Sequence, residues 1–512
     1  MMPRIRIYYI FLTLTLLVAR CAPAQPVSDQ IREPDYWPTE GWKSSTPEAQ
    51  GMDSELLAEM LEEINTKETR IYSVLIIRNG YMVTEAYFHP YTRDIKMHIQ
   101  SVTKSVIGAL VGIAVQKQMI PDVDQPLMSF FSNRRVAHLS EEKSSIQLRH
   151  LLSMSSGLDC QEASSSGRNM EQTADWVQFM LDLPMVAAPG ETFGYCNGNP
   201  HLLSAILEKT TGMNTREFAN QELFGPLGLP AVDKADWGED PQGFVNGGYG
   251  LLLRPVDLAK FAFLYLHNGE WDGQQILPAE WVTDSTTQYV KKPEGPGYGY
   301  LWTVYPDSHR YSALGMAGQQ IHVYPTKDLI VVVTAELETF MEAPEIERIL
   351  NDFILPAIQS DTALAEKPEG VSRLQAAIGV AANPIQPVPP LPAIAEEVSG
   401  DLYTLEENPF GWQNAVLFFE PGASTAKIST VGADDLDEVG LDNIFRRARL
   451  PENQYLMRGR WIDEQTFVIE WTIPGWANST AIGLKYREDR VEIMIEPLIF
   501  SSEPTLIEGT KK

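Results

Sequence analysis

Two β-hairpin patterns lie at opposite ends of a long helical block, and they constrain the fold more than any other feature of the chain. Residues 72–88 alternate around Asn79-Gly80, a dipeptide that favours a tight turn between antiparallel strands. Residues 319–337 form two β-branched runs around a polar turn at residues 326–328. Between these patterns, from about residue 100 to 285, helical periodicity dominates. A sheet built from both ends of a domain, with helices inserted between them, predicts an α+β fold.

A proline-rich segment divides the chain after this first domain. The prolines of residues 382–396 are Pro384, Pro387, Pro389, Pro390 and Pro392, a density that disfavours helix and favours an extended spacer. Beyond the segment, short alternating runs separated by polar turns predict a small antiparallel β domain that resembles a barrel. We therefore expect a first domain over residues 25–360, a Pro-rich linker over 361–396 and a C-terminal β domain over 397–512.

The first 24 residues have the pattern of a secretory signal. Arg4 and Arg6 precede an uncharged apolar stretch of 13 residues, and small residues ending in Ala22-Pro23-Ala24 follow it. Because that stretch is too short for a membrane span, we expect cleavage after Ala24 and a periplasmic or secreted protein. Cys21 leaves open lipid anchoring of the bacterial lipoprotein type, and we expect contact with a membrane only in that case.

The charge of the chain excludes one class of partner. The net charge is −28, and removal of residues 1–24 takes away three arginines and no acid, which gives −31. Phosphate backbones repel such a body, so we expect no nucleic-acid partner.

Cysteine and histidine residues give no metal or cofactor pattern. Cys160 and Cys196 remain after cleavage at Ala24, and both a disulfide and two free thiols are compatible with the sequence, which cannot measure their separation. The eight histidines include no His-x-His or His-Glu-x-x-His pair. We therefore expect neither a metal nor a cofactor.

A serine and a lysine at the start of an apolar helix are the first candidate catalytic residues. Ser101 and Lys104 are three residues apart, so both lie on one face of the predicted helix. At the helix start, free main-chain N–H groups favour negative charge that develops on a reacting atom. The apolar run behind them would desolvate the lysine amine, lower its pKa and make it a base for the serine hydroxyl.

The Ser-x-x-Lys pattern alone has little value, because the chain contains it three times. The other two copies begin at Ser140 and Ser424. The first of these lies in a polar loop and the second in a predicted strand, where the geometry fails. Only the copy at Ser101 heads an apolar helix.

A second pattern lies in a Gly-rich loop before another predicted helix. Tyr195-Cys196-Asn197 is the only Tyr-x-Asn in the chain. A phenol can relay a proton, and an amide can position a substrate carbonyl or the lysine.

Together these elements resemble the serine β-lactamase and penicillin-binding-protein superfamily, in particular its branch of class C β-lactamases, esterases, D-amino-acid peptidases and amide-dimer hydrolases. The resemblance covers about residues 45–358 and includes the phrases "LRHLLSMSSGL", "GYGLLLRPVDLAKF" and "YGYLWTV". It implies an antiparallel sheet flanked by helices with an inserted helical subdomain. It also implies a serine hydrolase that acts on a small-molecule ester or amide.

The resemblance assigns roles to individual residues. Ser101 would be the nucleophile and Lys104 its base, with Tyr195 as proton relay to the leaving group and Asn197 binding the substrate. The main-chain N–H groups of Ser101 and Gln319 would form the oxyanion hole. The acyl-enzyme would then be released by water.

The third element of the family differs in this chain. Met316, Ala317 and Gly318 stand where many relatives have Lys or His, then Thr, Ser or Gly, then Gly. Met316 cannot pair with a substrate carboxylate, and a desolvated charge without a partner costs about 2–5 kcal/mol. We therefore expect Met316, Gly318 and Gln319 to border a substrate that has no such carboxylate.

Two alternative functions stay open at this point, and a third is excluded. A β-lactamase or a D-amino-acid peptidase for cell-wall substrates fits the same motifs. A catalytically inactive binding module would use the cleft around the same residues to hold a ligand. A Ser-His-Asp hydrolase would need a Gly-x-Ser-x-Gly element, which does not occur in the chain.

Overall fold

The computed structural model describes residues 33–67, 69–160, 167–293, 295–339, 343–430, 436–447, 455–499 and 503–512. The described residues all belong to one compact unit. The predicted signal peptide, including Cys21, lies outside the described residues.

The first part of the chain forms an eight-stranded antiparallel sheet in the order β2-β1-β12-β11-β10-β9-β8-β7, with two small two-stranded sheets beside it. The hairpin predicted at Asn79-Gly80 joins β1 to β2, and the one predicted at residues 326–328 joins β11 to β12. Strands β1 and β12, from the two ends of the domain, pair with each other. The strands are β1 Ile71–Arg78, β2 Tyr81–Tyr87, β3 Met97–His98, β4 Leu252–Leu253, β5 Glu270–Trp271, β6 Gln274–Gln275, β7 Val290–Lys291, β8 Gly297–Tyr298, β9 Thr303–Tyr305, β10 Arg310–Gly315, β11 Gln319–Tyr324 and β12 Leu329–Ala335.

Helices cover both faces of this sheet. Because strand side chains alternate between faces, Leu75 and Ile77 pack against α2 and its neighbours, whereas Val74 and Ile76 pack against α1 and the helices after β12. The helices are α1 Ser54–Thr66, α2 Val102–Gln116, α3 Glu141–Ser144, α4 Leu148–Leu152, α5 Trp176–Asp182, α6 Gly198–Thr211, α7 Thr215–Ala219, α8 Pro255–Leu266, α9 Ala279–Ser285, α10 Pro344–Ile349, α11 Leu355–Ala357, α12 Pro368–Ala382 and α13 Ala393–Val398. Helices α2–α9 are the predicted helical block, so the predicted α+β architecture is confirmed.

The range 361–396, predicted to be a linker, is mostly folded. Helix α12 packs its Leu374 and Ala377 into the same core as α1. Val388 and Leu391 pack against the C-terminal core, and α13 contributes Ala395 to it. Residues 383–392, which contain the five prolines of the proline-rich segment, form neither helix nor strand, whereas the predicted linker range as a whole also contains α12 and the start of α13. The placing of the domain boundaries stays a prediction.

The C-terminal part forms a ten-stranded sheet in the order β16-β15-β14-β13-β22-β21-β20-β19-β18-β17. An additional parallel pairing of β16 with β18, at Gly440 and Arg458, closes it into a barrel. The predicted antiparallel β domain is therefore confirmed. Its strands are β13 Tyr403–Leu405, β14 Asn414–Phe418, β15 Thr425–Ser429, β16 Asp437–Gly440, β17 Arg446–Arg447, β18 Leu456–Trp461, β19 Thr466–Thr472, β20 Thr480–Arg487, β21 Arg490–Pro497 and β22 Thr505–Lys511.

Among the residues described here, no helix has both the length and the apolar composition required to cross a membrane.

Candidate active site

Ser101 occupies a tight bend between β3 and α2. Gln100, the residue before it, has a left-handed backbone (φ 50°), and Ser101 is the N-cap of α2. The hydroxyl of Thr103 donates to the carbonyl oxygen of Gln100 at 2.7 Å, which fixes the bend from inside the first helical turn. Helix α2 is buried over residues 102–114, so Ser101, itself partly exposed, marks the point where a buried helix meets the surface.

Lys104 is the centre of the site. Its side chain is 1% exposed, and its amine lies 2.9 Å from the hydroxyl oxygen of Ser101. The same amine lies 2.6 Å from Oδ1 of Asn197 and 2.6 Å from the carbonyl oxygen of Gly248. The structure therefore brings the Ser-x-x-Lys and Tyr-x-Asn elements together around one nitrogen.

Gly248 was not predicted as a site residue, and the close approach of its backbone depends on its lack of a side chain. A Cβ added there would lie 3.0 Å from both Cβ and the carbonyl oxygen of Asn197. The side chain of Asn246 accepts from the N–H of Gly248 at 2.9 Å and holds the peptide in place. Gly248 begins the phrase "GYGLLLRPVDLAKF", but a main-chain oxygen is present at every residue, so the residue type alone gave this oxygen no role.

The Tyr-x-Asn element is held at the start of α6. Asn197 is the N-cap of that helix, and Cys196 forms a disulfide with Cys160. The Cα atoms of the two cysteines are 5.6 Å apart. Of the two alternatives that the sequence left open, the structure therefore contains the disulfide, and the bond fixes the residue between Tyr195 and Asn197.

Aromatic side chains border the amine on the Tyr195 side. The amine of Lys104 lies 4.8 Å from the centre of the Tyr195 ring. Phe193 lies between Tyr195 and Tyr298, with ring centres 6.4 and 5.2 Å away. Burial raises the pKa of the Tyr298 hydroxyl well above its usual value, so this phenol stays neutral. Tyr298 belongs to the "YGYLWTV" phrase, which gives that phrase a place beside the site.

The turn between β10 and β11 carries the third family element. Gly315, just before the turn, packs closely on the segment that leads to Ser101, because a Cβ there would lie 2.7 Å from the carbonyl oxygen of Ile99. Met316 is partly exposed. Gly318 has a φ of +90°, and a Cβ there would meet Ala335 at 3.0 Å. Packing against β12 therefore requires glycine at this position, whether or not Gly318 also borders a substrate.

Gln319 follows the turn and is buried. Its side-chain Nε2 donates to the carbonyl oxygen of Ala335 at 2.5 Å. Any contact of Gln319 with a substrate would therefore come from its main chain, which is the role that the sequence predicts. That role stays a prediction.

The other two Ser-x-x-Lys copies have different geometry. Ser140 caps α3, and its hydroxyl accepts from the main-chain N–H of Lys143 at 3.0 Å. The amine of Lys143 binds the carbonyl oxygens of Ala137 and Leu181 instead. Lys427, in the third copy, is exposed on β15. Of these three copies, only the one at Ser101 has its lysine amine within hydrogen-bond distance of its serine hydroxyl.

A loop of the barrel reaches the segment that precedes Ser101. The carbonyl oxygen of Gly475, between β19 and β20, accepts from the N–H of His98 at 2.6 Å. The ring of Trp476 lies 4.7 Å from that of His98. Burial lowers the pKa of His98 to about 4, so its ring is neutral near pH 7. The sequence did not predict this contact, because the loop is distant in the chain and carries no motif.

Within the described ranges, no group of three or more His, Cys, Asp or Glu residues has the arrangement of a metal site.

Comparison with known proteins shows the family to which this chain belongs. The family model described as Beta-lactamase matches residues 57–352. The 6-aminohexanoate-dimer hydrolase of Paenarthrobacter ureafaciens is 23% identical over 313 residues, which are 56% of this chain and 79% of that protein. An uncharacterized protein of Alkalihalophilus pseudofirmus is 25% identical over 299 residues, 51% of this chain and 82% of its own length.

A solved structure gives the same fold. A Bacillus anthracis protein, provisionally assigned as a 6-aminohexanoate-dimer hydrolase, superposes with a TM-score of 0.50 at 18% identity. The superposition covers 66% of this chain and 90% of that one.

Proposed function

The chain belongs to the β-lactamase family, and we propose that it hydrolyses a small-molecule ester or amide through an acyl-enzyme on Ser101. As a member of that family it is a serine hydrolase. The substrate class, the covalent intermediate and the roles of individual residues belong to the proposal.

Three contacts of the Lys104 amine carry the proposal. Two of them, Oδ1 of Asn197 and the carbonyl oxygen of Gly248, can only accept hydrogen bonds. Both therefore take N–H groups of the amine. The Ser101 hydroxyl, at 2.9 Å, is the one of the three that can also donate. In its neutral form the amine can give one N–H group to each of these two acceptors and direct its lone pair at the hydroxyl proton.

The reaction follows from that arrangement. Ser101 Oγ bonds to the substrate carbonyl carbon while its proton passes to Lys104. The bond from that carbon to the leaving oxygen or nitrogen breaks, and the leaving group takes a proton through Tyr195. Water then adds to the acyl-enzyme, which releases the acid and restores the Ser101 hydroxyl. The N–H groups of Ser101 and Gln319 stabilise the oxyanion of each tetrahedral intermediate.

Met316 narrows the substrate class. The family acts on small-molecule amides and esters. Because methionine offers no charge, a substrate carboxylate at this turn would find no partner in that side chain. We therefore propose substrates without a carboxylate at this position, and we expect slow turnover of penicillins and cephalosporins.

Covalent labelling tests the nucleophile and its base. A fluorophosphonate probe should modify Ser101 in the wild-type protein, and Lys104→Met should abolish labelling while circular dichroism shows an intact fold. Ser140→Ala is the matched control, since it changes the serine of a Ser-x-x-Lys whose amine points elsewhere, and it should label normally. Labelling of Lys104→Met at the wild-type rate would contradict the role of base. An unlabelled wild-type protein would favour an inactive binding module.

Substrate profiling tests the proposed class. Nitrophenyl esters of graded chain length should be hydrolysed faster than a chromogenic cephalosporin. The reverse order would favour the β-lactamase or peptidase alternative.

The place of action is a further part of the proposal. The pattern of residues 1–24 supports export to the periplasm or the medium, with cleavage after Ala24. Cell fractionation and N-terminal sequencing of the purified protein test it. Incorporation of labelled palmitate that Cys21→Ser abolishes would instead support lipid anchoring.

A further inference from the structure

The interior of the C-terminal barrel differs between its two ends. At one end four aromatic side chains fill the interior, with Phe467 lying 5.1 Å from Phe419 and 5.3 Å from Trp461, and Tyr486 lying 6.0 Å from Trp461. All four are buried or packed against the barrel core. This end is closed by its own side chains.

The other end contains a cavity of about 290 Å³. Its walls are formed by other inward-facing residues of the barrel strands, two to four positions along each strand from the aromatic end. They include Ile428, Met457, Ile469 and Ile482. Ala415, on β14, is a small residue in this wall. The cavity therefore lies on the barrel axis, where a full core would otherwise be.

Space of this size is unusual in a folded interior. Protein cores leave few voids larger than a water molecule, and water is poorly held where the walls are apolar. Closed barrels of about this strand number can enclose one small ligand. Ligand sites are typically apolar pockets of roughly 300 Å³ or more with a few polar groups. The cavity lies at the small end of that range.

Among the described residues, aromatic and polar side chains border the cavity at this end of the barrel. The rings of Tyr455 and Trp471 lie 4.5 Å apart and are partly exposed there. Ser429, Thr430 and Asp437 lie beside them. An apolar body would thus enter beside this aromatic pair and leave its polar end near hydroxyl groups and a carboxylate.

We propose that the barrel cavity binds a small amphiphile with an apolar body and a neutral or cationic polar end. Asp437 and the net charge of −28 disfavour an anionic end such as a fatty-acid carboxylate. This site shares no residue with the cluster around Lys104, so it is a second binding function that does not depend on the hydrolase chemistry.

Fluorescence of N-phenyl-1-naphthylamine, a neutral apolar probe, tests the site in the full-length protein. Emission should rise on titration with the wild-type protein, and Ser101→Ala should bind the probe equally well. Ala415→Trp, which fills the cavity, should weaken probe binding by at least about tenfold. Leu506→Trp, which adds the same ring on the exposed outer face of β22, is the matched control and should bind like the wild type.

Two further measurements keep the proposal falsifiable. Ala415→Leu fills less space, so it serves if the tryptophan variant does not fold, and it should also weaken binding. Decylamine and decanol should displace the probe at concentrations about tenfold lower than decanoate. No rise in emission with the wild-type protein, binding unchanged by either Ala415 variant, or displacement by decanoate equal to that by decylamine would each overturn the proposal.

Discussion

Glu336, at the end of β12, accepts hydrogen bonds from both the main-chain N–H and the hydroxyl of Ser479 in the barrel, at 2.6 and 2.5 Å. Its side chain is completely buried. Tyr72 donates to the same carboxylate at 2.5 Å, and Arg70 does so at 2.9 Å. Arg70 also pairs with Glu470 of β19 at 2.6 Å. A buried ionic cluster therefore joins the barrel to the adjacent ends of β1 and β12 in the eight-stranded sheet.

Glu336→Gln should destabilise the protein by about 3 kcal/mol, because it removes a buried charge and leaves Arg70 and a donor of Ser479 poorly matched. Urea unfolding measures the loss. Glu62→Gln is the matched control, since the Glu62–Arg373 pair is nearly half exposed on both sides and should contribute much less to stability. Equal effects of the two substitutions would show that the cluster does not hold the barrel in place.

The contact between the barrel loop and the segment before Ser101 makes a prediction about activity. Gly475 has a φ of +86°, and a Cβ there would lie 2.2 Å from the carbonyl oxygen of Lys96. Gly475→Ala should therefore shift residues 96–98 and lower kcat/KM for a nitrophenyl ester. Gly422→Ala is the control: Gly422 also has a positive φ (+79°), but a Cβ there would have no atom within 4 Å. It therefore measures the effect of backbone strain alone, without the steric clash with Lys96. If both variants keep full activity, the loop has no influence on the position of Ser101.

Helix α2, which carries the site, depends on a glycine in its interior. A Cβ on Gly112 would lie 2.6 Å from the indole ring of Trp281. Gly112→Ala should destabilise the protein by about 1–3 kcal/mol through overpacking, as measured by urea unfolding. Gly379→Ala, in α12 with open space around it, should stabilise by up to about 1 kcal/mol because alanine favours helix. Stabilisation by both substitutions would mean that Trp281 moves away without cost.

Features that depend on neighbouring residues could be predicted from the sequence, whereas features that depend on long-range contacts could not. The Asn79-Gly80 hairpin and the Ser101–Lys104 pair depend on neighbours in the chain, so their spacing was sufficient. The acceptor role of Gly248 depends on a main-chain oxygen brought close by tertiary packing, which residue types do not encode. The same is true of the disulfide, because its formation requires a Cα separation that a sequence does not give.

Prolines have different roles along the predicted linker. Pro368 occupies the first turn of α12, where the missing N–H of proline costs nothing. Pro392 directly precedes α13. Prolines at such positions begin helices, whereas the prolines at 384, 387, 389 and 390 lie in the connection between α12 and α13, which forms neither helix nor strand.

Buried histidines should make the stability of the protein fall in acid. Burial lowers the pKa of His267 to about 4, and its ring packs 4.1 Å from that of Phe263. Between that pKa and the unfolded value near 6.5, the unfolded chain binds a proton that the folded protein does not. This group therefore leaves stability unaffected above pH 6.5 and lowers it progressively as the pH falls towards 4, by up to about 3 kcal/mol.

His267→Phe keeps an aromatic ring at this position and removes the titration. We expect a smaller loss of unfolding free energy between pH 7 and pH 4.5 than in the wild type, measured by urea unfolding at several pH values. His98 and His322, whose pKa values burial also lowers, remain in the variant, so part of the acid sensitivity should persist. If the unfolding free energies of the two proteins fell equally with pH, burial would not lower the pKa of His267 in the folded state.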